Sequence, residues 1–239
     1  MVNKNPSVLI SIVSHGQAML VASLLSDLLD RDRPEFKIIL TINIPEDEES
    51  LDRFLPFIKI IRNRTPKGFG ANHNFAFLNL NSDFFVVLNP DIRFSKFDWN
   101  NLLCQFKDTT IGICAPLVLS SCGSIEDSAR LYPTTLRILK RIFSRKKIPD
   151  YFFLESPLLV DWVAGMFVVF RSVAFSTVKG FDEGYFMYVE DADICLRMRH
   201  HGWCSVLNPS SIVIHDAQRA SRRSIKYFIN RRKAQTTIK

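Results

Sequence analysis

Residues 7–14, SVLISIVS, form a nearly continuous apolar run, the pattern of a strand covered on both faces. Leu20, Leu24, Leu25, Leu28 and Leu29 follow at helical spacing. Residues 37–44 and 58–61 read as a second and a third strand. Residues 65–70 hold Pro66, Gly68 and Gly70 and predict a turn, and residues 72–80 a helix. Residues 84–88, FFVVL, read as a fourth buried strand that Asn89-Pro90 stops. Strands alternating with helices over short connections predict an α/β fold: a mainly parallel central sheet with helices on both faces. Ligands of such sheets bind beyond the carboxyl ends of the strands. That rule singles out Ser14-His15, Asn43 and Asn89-Pro90-Asp91.

The second half is less regular. Residues 111–119 predict a strand, and residues 120–128 are polar. Residues 134–147 put Leu136, Leu139, Ile142 and Phe143 on one face and cations on the rest, a short basic amphipathic helix. Residues 160–170 read as one strand, residues 190–201 as a helix with Gly202 as its C-cap, and residues 211–214 as a short strand ending at His215. With no apolar run of 18 residues, no transmembrane helix is expected. The first six residues run straight into a strand, so no secretory leader is expected either.

The 239 residues are 47% hydrophobic and 23% charged, which fits one large folded domain. The charge is uneven. Residues 128–147 carry seven cations and residues 217–239 carry eight, with no acid in either segment. The whole chain is only +7, so an acidic remainder of −8 bears two basic segments. Such segments suit an anionic membrane surface, a polyphosphate or nucleic acid. The five cysteines form no CxxC pair, which suits a reducing cytosol and argues against a structural zinc site.

The richest chemistry lies in residues 180–197, GFDEGYFMYVEDADICLR. Glu190, Asp191 and Asp193 follow an aromatic, apolar run, where like charges are costly unless a cation, hydrogen bonds or a raised pKa offset them. The cluster is a candidate for metal binding or for proton transfer. Asp193 and Arg197 stand at i, i+4 and read as a structural ion pair. Pro90 forces a sharp turn that should expose Asp91, a carboxylate able to hold a hard divalent cation against phosphate oxygens. Lys67 to Asn74, KGFGANHN, is a glycine-bearing turn into a helix, where backbone amides can hold an anion and Asn72 or Asn74 can bond a base or ribose. It matches neither GxGxxG nor GxxxxGK[ST]. His215 is a candidate metal or phosphate ligand. Trp162, in a strand with Gly165, could stack on a sugar ring.

The order of these features, NPD after a fourth strand, a W-x-x-G strand, the acidic block and a later histidine, resembles the family 2 glycosyltransferases. The likeness is greatest to bacterial rhamnosyltransferase-type enzymes of surface polysaccharide synthesis. It spans roughly residues 6–223. The resemblance implies a GT-A fold over residues 1–216, with a nucleotide-binding half (1–91), a catalytic half (92–216), a small antiparallel addition and a basic tail (217–239). It implies inverting transfer from a nucleotide-activated sugar, with Asp191 as general base and Glu190 beside it at the acceptor. By position, Ser14, Asn43, Gly68, Phe69, Gly70, Asn72, Asn74 and Asn89 fall near the nucleotide-sugar, and Trp162 and Gly165 near the acceptor. Asp91 and His215 would hold Mg2+ or Mn2+. The expected donor is thymidine diphosphate-rhamnose, with a uridine diphosphate hexose next. The expected acceptor is a saccharide or lipid-linked saccharide, at the cytoplasmic face of an anionic membrane.

Departures from the family are visible. Asn89 stands where a first aspartate is usual, and Thr41-Ile42-Asn43-Ile44-Pro45 replaces an Asp-Asn-x-Ser motif. They motivate a competing reading, a nucleotide-sugar-binding protein without transfer activity. A nucleic-acid-binding module would rest on the basic segments alone, with no recognised motif, and nucleic acid is not an expected partner.

Overall fold

The computed structural model describes residues 6–30, 36–132, 150–151 and 155–215. The predicted basic helix at 134–147 and the tail at 217–239 lie outside the described residues.

The first half builds β1 (Val8–Ser14), α1 (Ala18–Leu29), β2 (Phe36–Ile42), a 3-10 helix (Glu49–Phe57), β3 (Ile58–Arg62), α2 (Phe69–Phe77) and β4 (Phe84–Leu88). The second half adds β5 (Ile92–Phe94), α3 (Trp99–Leu103), a short 3-10 turn (Cys104–Lys107), β6 (Ile111–Ser120), β7 (Ala129–Arg130), β8 (Leu158–Val160), β9 (Trp162–Val163), β10 (Phe167–Arg171), α4 (Ser172–Thr177), α5 (Glu190–His200) and β11 (Cys204–His215). A nine-stranded sheet runs β3-β2-β1-β4-β10-β6-β11-β5, with β8 also paired to β11. β10 enters antiparallel between β4 and β6, and β5 and β8 also run against the majority. The remaining strands share one direction, so their ends converge on one edge. β7 and β9 form a separate antiparallel ribbon.

Alternation within β1 divides the core. Val8, Ile10 and Ile12 pack with Val21, Leu24, Leu25 and Leu28 of α1 on one face. Leu9 packs on the other with Phe85, Phe170, Phe175 and Phe181. Both faces of the strand are therefore dry, which is why its sequence is continuous rather than alternating.

Several boundaries differ from the sequence reading. α2 begins at Phe69 rather than 72, because Gly68 takes the extended N-cap position (φ −65°, ψ 164°). It ends before Leu80, where the Asn79 side chain donates to the Phe75 carbonyl at 2.7 Å in place of a further helical turn. The predicted single strand at 160–170 is three pieces. The Ala164 N–H goes to Ser128 O (2.7 Å), in register with β7, and the Met166 carbonyl receives Asn89 N–H (2.9 Å), in register with β4, so the chain changes from one sheet to the other over 164–166. β11 begins at Cys204, not 211, and carries a register shift between Asn208 and Ile212 that accommodates Pro209.

Candidate active site

The two sequence blocks with the strongest resemblance pack on each other. Phe69 N–H donates to Phe186 O at 2.9 Å. A Cβ on Gly68 would lie 2.7 Å from that same oxygen, and one on Gly70 would lie 2.6 Å from Phe181 Cβ. Only glycine permits so close an approach. Asn74 completes the seam, donating to Phe181 O (2.9 Å) and accepting from Phe181 N (2.9 Å).

At the ends of β1 and β2, Ser14 Oγ accepts from Gln17 N at 3.1 Å. Asn43 is buried, and its Oδ1 accepts from Lys67 N (2.9 Å) and from Asn63 Nδ2 (2.9 Å). Asn63 also donates to Asn72 Oδ1 at 2.7 Å, and Asn72 Nδ2 donates to Gly68 O at 3.0 Å. Asn43, Asn63 and Asn72 thus clamp the loop into α2, with their side chains bonded inward. Below it, the fully buried His73 meets Ser11 Oγ at 2.8 Å, and burial drives its pKa down to about 3, so it stays neutral.

The acidic block opens α5. Tyr188 and Val189 hold φ of 71° and 78°, a left-handed conformation that a β-branched residue rarely adopts. The turn aims Asp191 back at the loop between β9 and β10. Its Oδ1 accepts from Ala192 N (2.8 Å) and its Oδ2 from Gly165 N (3.3 Å). Asp191 sits deep among protein atoms yet keeps part of its surface open. Burial raises its pKa, while the two amides and Arg130 pull it back down. Glu190 is only 5% exposed and its Oε2 has no partner. Burial, reinforced by the Asp191 charge, pushes its pKa up to about 8. Glu190 is therefore mainly the neutral acid at pH 7. Asp193 pairs with Arg197 at 2.7 Å, the structural ion pair read from the spacing.

Asp91 was expected to stand exposed. It does not: its side chain is 17% exposed and its Oδ2 lies 3.1 Å from His215 Nε2. The cause is β5, which pairs Ile92 with His215 and brings the two ends together. His215 Nδ1 is 2.8 Å from Glu126 Oε2. Burial disfavours charge on this ring, but Asp91 and Glu126 together outweigh it and raise its pKa to about 9. Among the described residues, no three His, Cys, Asp or Glu side chains converge as a metal cage. Asp91 Oδ1, however, is buried without a hydrogen-bond partner. An orphan carboxylate oxygen beside an imidazole fits a cation whose other ligands come from phosphate oxygens and water.

The 164–166 loop joins the two acidic centres. Met166 O receives Asn89 N–H (2.9 Å), two residues before Asp91, and Gly165 N–H reaches Asp191. A Cβ on Gly165 would sit 3.0 Å from the Phe69 ring. Trp162 pairs across the ribbon with Arg130, whose guanidinium carbon lies 5.1 Å from its ring centroid. Glu126, Arg130, Asn63 and His73 were missed as site residues in the sequence. Arg130 was counted only as part of a basic segment, and Glu126 meets His215 across 89 positions, a pairing no local pattern announces.

The fold is that of GT-A glycosyltransferases: the mannosyltransferase PcManGT from Pyrobaculum calidifontis, solved with GDP-Man and Mn2+, superposes with a TM-score of 0.64 at 14% identity over 99% of this chain and 66% of that one. Residues 9–174 match the model for glycosyl transferase family 2, and the chain belongs to that family. It is 31% identical to the rhamnosyltransferase WbbL of Escherichia coli K12, over 90% of this chain and 85% of that protein. It is 34% identical to an N-acetylglucosaminyl-diphospho-decaprenol L-rhamnosyltransferase of Mycobacterium tuberculosis, over 56% of this chain. The chain spans about half (47%) of the length of that relative.

Proposed function

We propose that this chain is an inverting glycosyltransferase. It moves a sugar, with rhamnose from a thymidine diphosphate donor first and a uridine diphosphate hexose second, onto a saccharide or lipid-linked saccharide. The observation that carries the reading is the 164–166 loop, bonded to Asn89 on one side and Asp191 on the other. The names of the two rhamnosyltransferase relatives support the choice of sugar.

Asp191 accepts the proton of the acceptor hydroxyl as that oxygen attacks the donor carbon. A base within hydrogen-bond reach is what direct displacement requires. The amides of Ala192 and Gly165 hold the carboxylate in one orientation and favour its charged form against burial. Neutral Glu190 adds no second negative charge beside it and stands by the acceptor, its Oε2 buried and unpartnered. Trp162 offers a ring face to the acceptor sugar. Ser14, Asn43 and Asn89 frame the nucleotide at the strand ends. Asn72 and Asn74 act there by shaping the backbone of Gly68, Phe69 and Gly70. Asp91 and His215 would hold Mg2+ or Mn2+, which would neutralise the departing diphosphate.

The basic segments at 128–147 and 217–239 would bring the protein to the anionic cytoplasmic face of a membrane, at about 1 kcal/mol per cation near the surface. No helix among the described residues is long and apolar enough to cross one. Flotation with anionic liposomes at low and high salt checks this, and no binding at low salt would remove the membrane from the account. The transfer itself is tested by incubating the protein with Mn2+, each nucleotide-sugar and a lipid-linked N-acetylhexosamine. Product with the rhamnose donor is expected, and no product with any thymidine or uridine donor would contradict the assignment.

A further inference from the structure

We propose that Glu126 is a positioning residue for His215, fixing the imidazole so that Nε2 is the nitrogen offered to a divalent cation. The inference rests on the metal reading above. The two ring nitrogens have different neighbours: Nδ1 lies 2.8 Å from Glu126 Oε2, and Nε2 lies 3.1 Å from Asp91 Oδ2. An ionised carboxylate only accepts hydrogen bonds, so Glu126 holds a proton on Nδ1. In the metal-free chain Asp91 Oδ2 likewise accepts from Nε2–H; a cation beside Asp91, whose Oδ1 is buried and unpartnered, would take the place of that proton, released to solvent, while Glu126 keeps the one on Nδ1. Glu126 itself cannot share that cation, because it sits at the opposite ring nitrogen. Its role is to orient the ligand and raise its basicity.

Glu126 is well placed for such a role. Its N–H donates to Val118 O (2.9 Å) and its carbonyl accepts from Ser128 N (2.8 Å). A bridge between Leu119 and Ile125 closes the turn before it. Ser120 is the register partner of His215 in β6, so strand, turn and histidine form one rigid unit. The carboxylate is thus delivered by a backbone that is itself pinned.

The test titrates Mn2+ into the natural protein, Glu126→Ala and Glu126→Gln with saturating UDP and separately dTDP, reading free Mn2+ by electron paramagnetic resonance. Glu126→Ala is expected to bind Mn2+ about 10- to 100-fold more weakly. Glu126→Gln keeps an oxygen that accepts from Nδ1–H and should stay within about threefold of the natural protein. Unchanged affinity in folded Glu126→Ala would overturn the proposal. No Mn2+ bound by the natural protein with either nucleotide would overturn the metal reading and this inference with it. Nitrogen-15 spectra of the histidine rings, in natural protein with Mg2+ and UDP, test the tautomer without any substitution. A proton on Nδ1 of His215 is expected, and one on Nε2 would overturn the proposal.

Discussion

The asparagines around residues 63–68 and the carboxylates around residues 188–193 both lie near the loop that opens α2, but their bonding differs. Asn43, Asn63 and Asn72 bond one another and the backbone of the loop. The acidic turn leaves Glu190 Oε2 unpartnered, raises the pKa of two adjacent carboxylates, and holds Tyr188 and Val189 in left-handed backbone. Asp91 Oδ1 is likewise unpartnered. A satisfied network makes a scaffold. Incomplete bonding and strain persist only where the surrounding fold enforces them, and they gather at sites that meet a ligand. The asparagine cluster therefore reads as shape, and the acidic turn as chemistry.

The largest effect that separates the two should come from Asp191→Asn. The amide oxygen can still accept from Ala192 N, so the fold is expected to persist, but the proposed base is gone. We expect kcat to fall about 100- to 10,000-fold with KM nearly unchanged, measured by steady-state transfer kinetics. Asn72→Ala should act the other way round. It removes the acceptor for Asn63 and a donor to Gly68 O, and should lower stability by about 1–3 kcal/mol in urea unfolding, with loss of donor affinity following loss of the loop. If Asn72→Ala left stability unchanged but abolished turnover, the scaffold reading of the asparagines would break.

Glu190 sharpens the comparison through pH. Its folded pKa of about 8 lies above the usual 4.5, so the native state holds this proton more tightly than the unfolded chain does. The sign follows: its contribution is fully favourable below about pH 4.5 and is lost as pH rises through about 8. Denaturant unfolding from pH 5 to 9 should show stability falling, and Glu190→Gln should flatten the slope. A slope unchanged by that substitution would place the buried proton elsewhere. Smallest, Val189→Gly should relieve the left-handed strain and raise stability by about 1 kcal/mol in thermal melts, while loosening Asp191 and lowering kcat.

The sequence made the sheet legible where burial was two-sided, because β1 and β4 are continuous apolar runs covered on both faces. It also singled out Asp91, His215, Glu190 and Asp191 as candidates. It could not show that residues 160–170 break into three pieces, since the cause is the distant carbonyl of Ser128 and the amide of Asn89. Nor could it show β5, three residues long, whose pairing closes Asp91 onto His215. Glu126 lay in a polar stretch with no periodicity, and Arg130 in a basic segment. Their roles come from tertiary contacts, and those follow only from the folded chain.

The central claim is that Asp191 serves a single displacement at the donor carbon. Proton NMR of the transferred sugar tests it most directly, comparing the anomeric configuration in the product with that in the nucleotide donor. The account predicts the opposite configuration. A product that retains the donor configuration would contradict it.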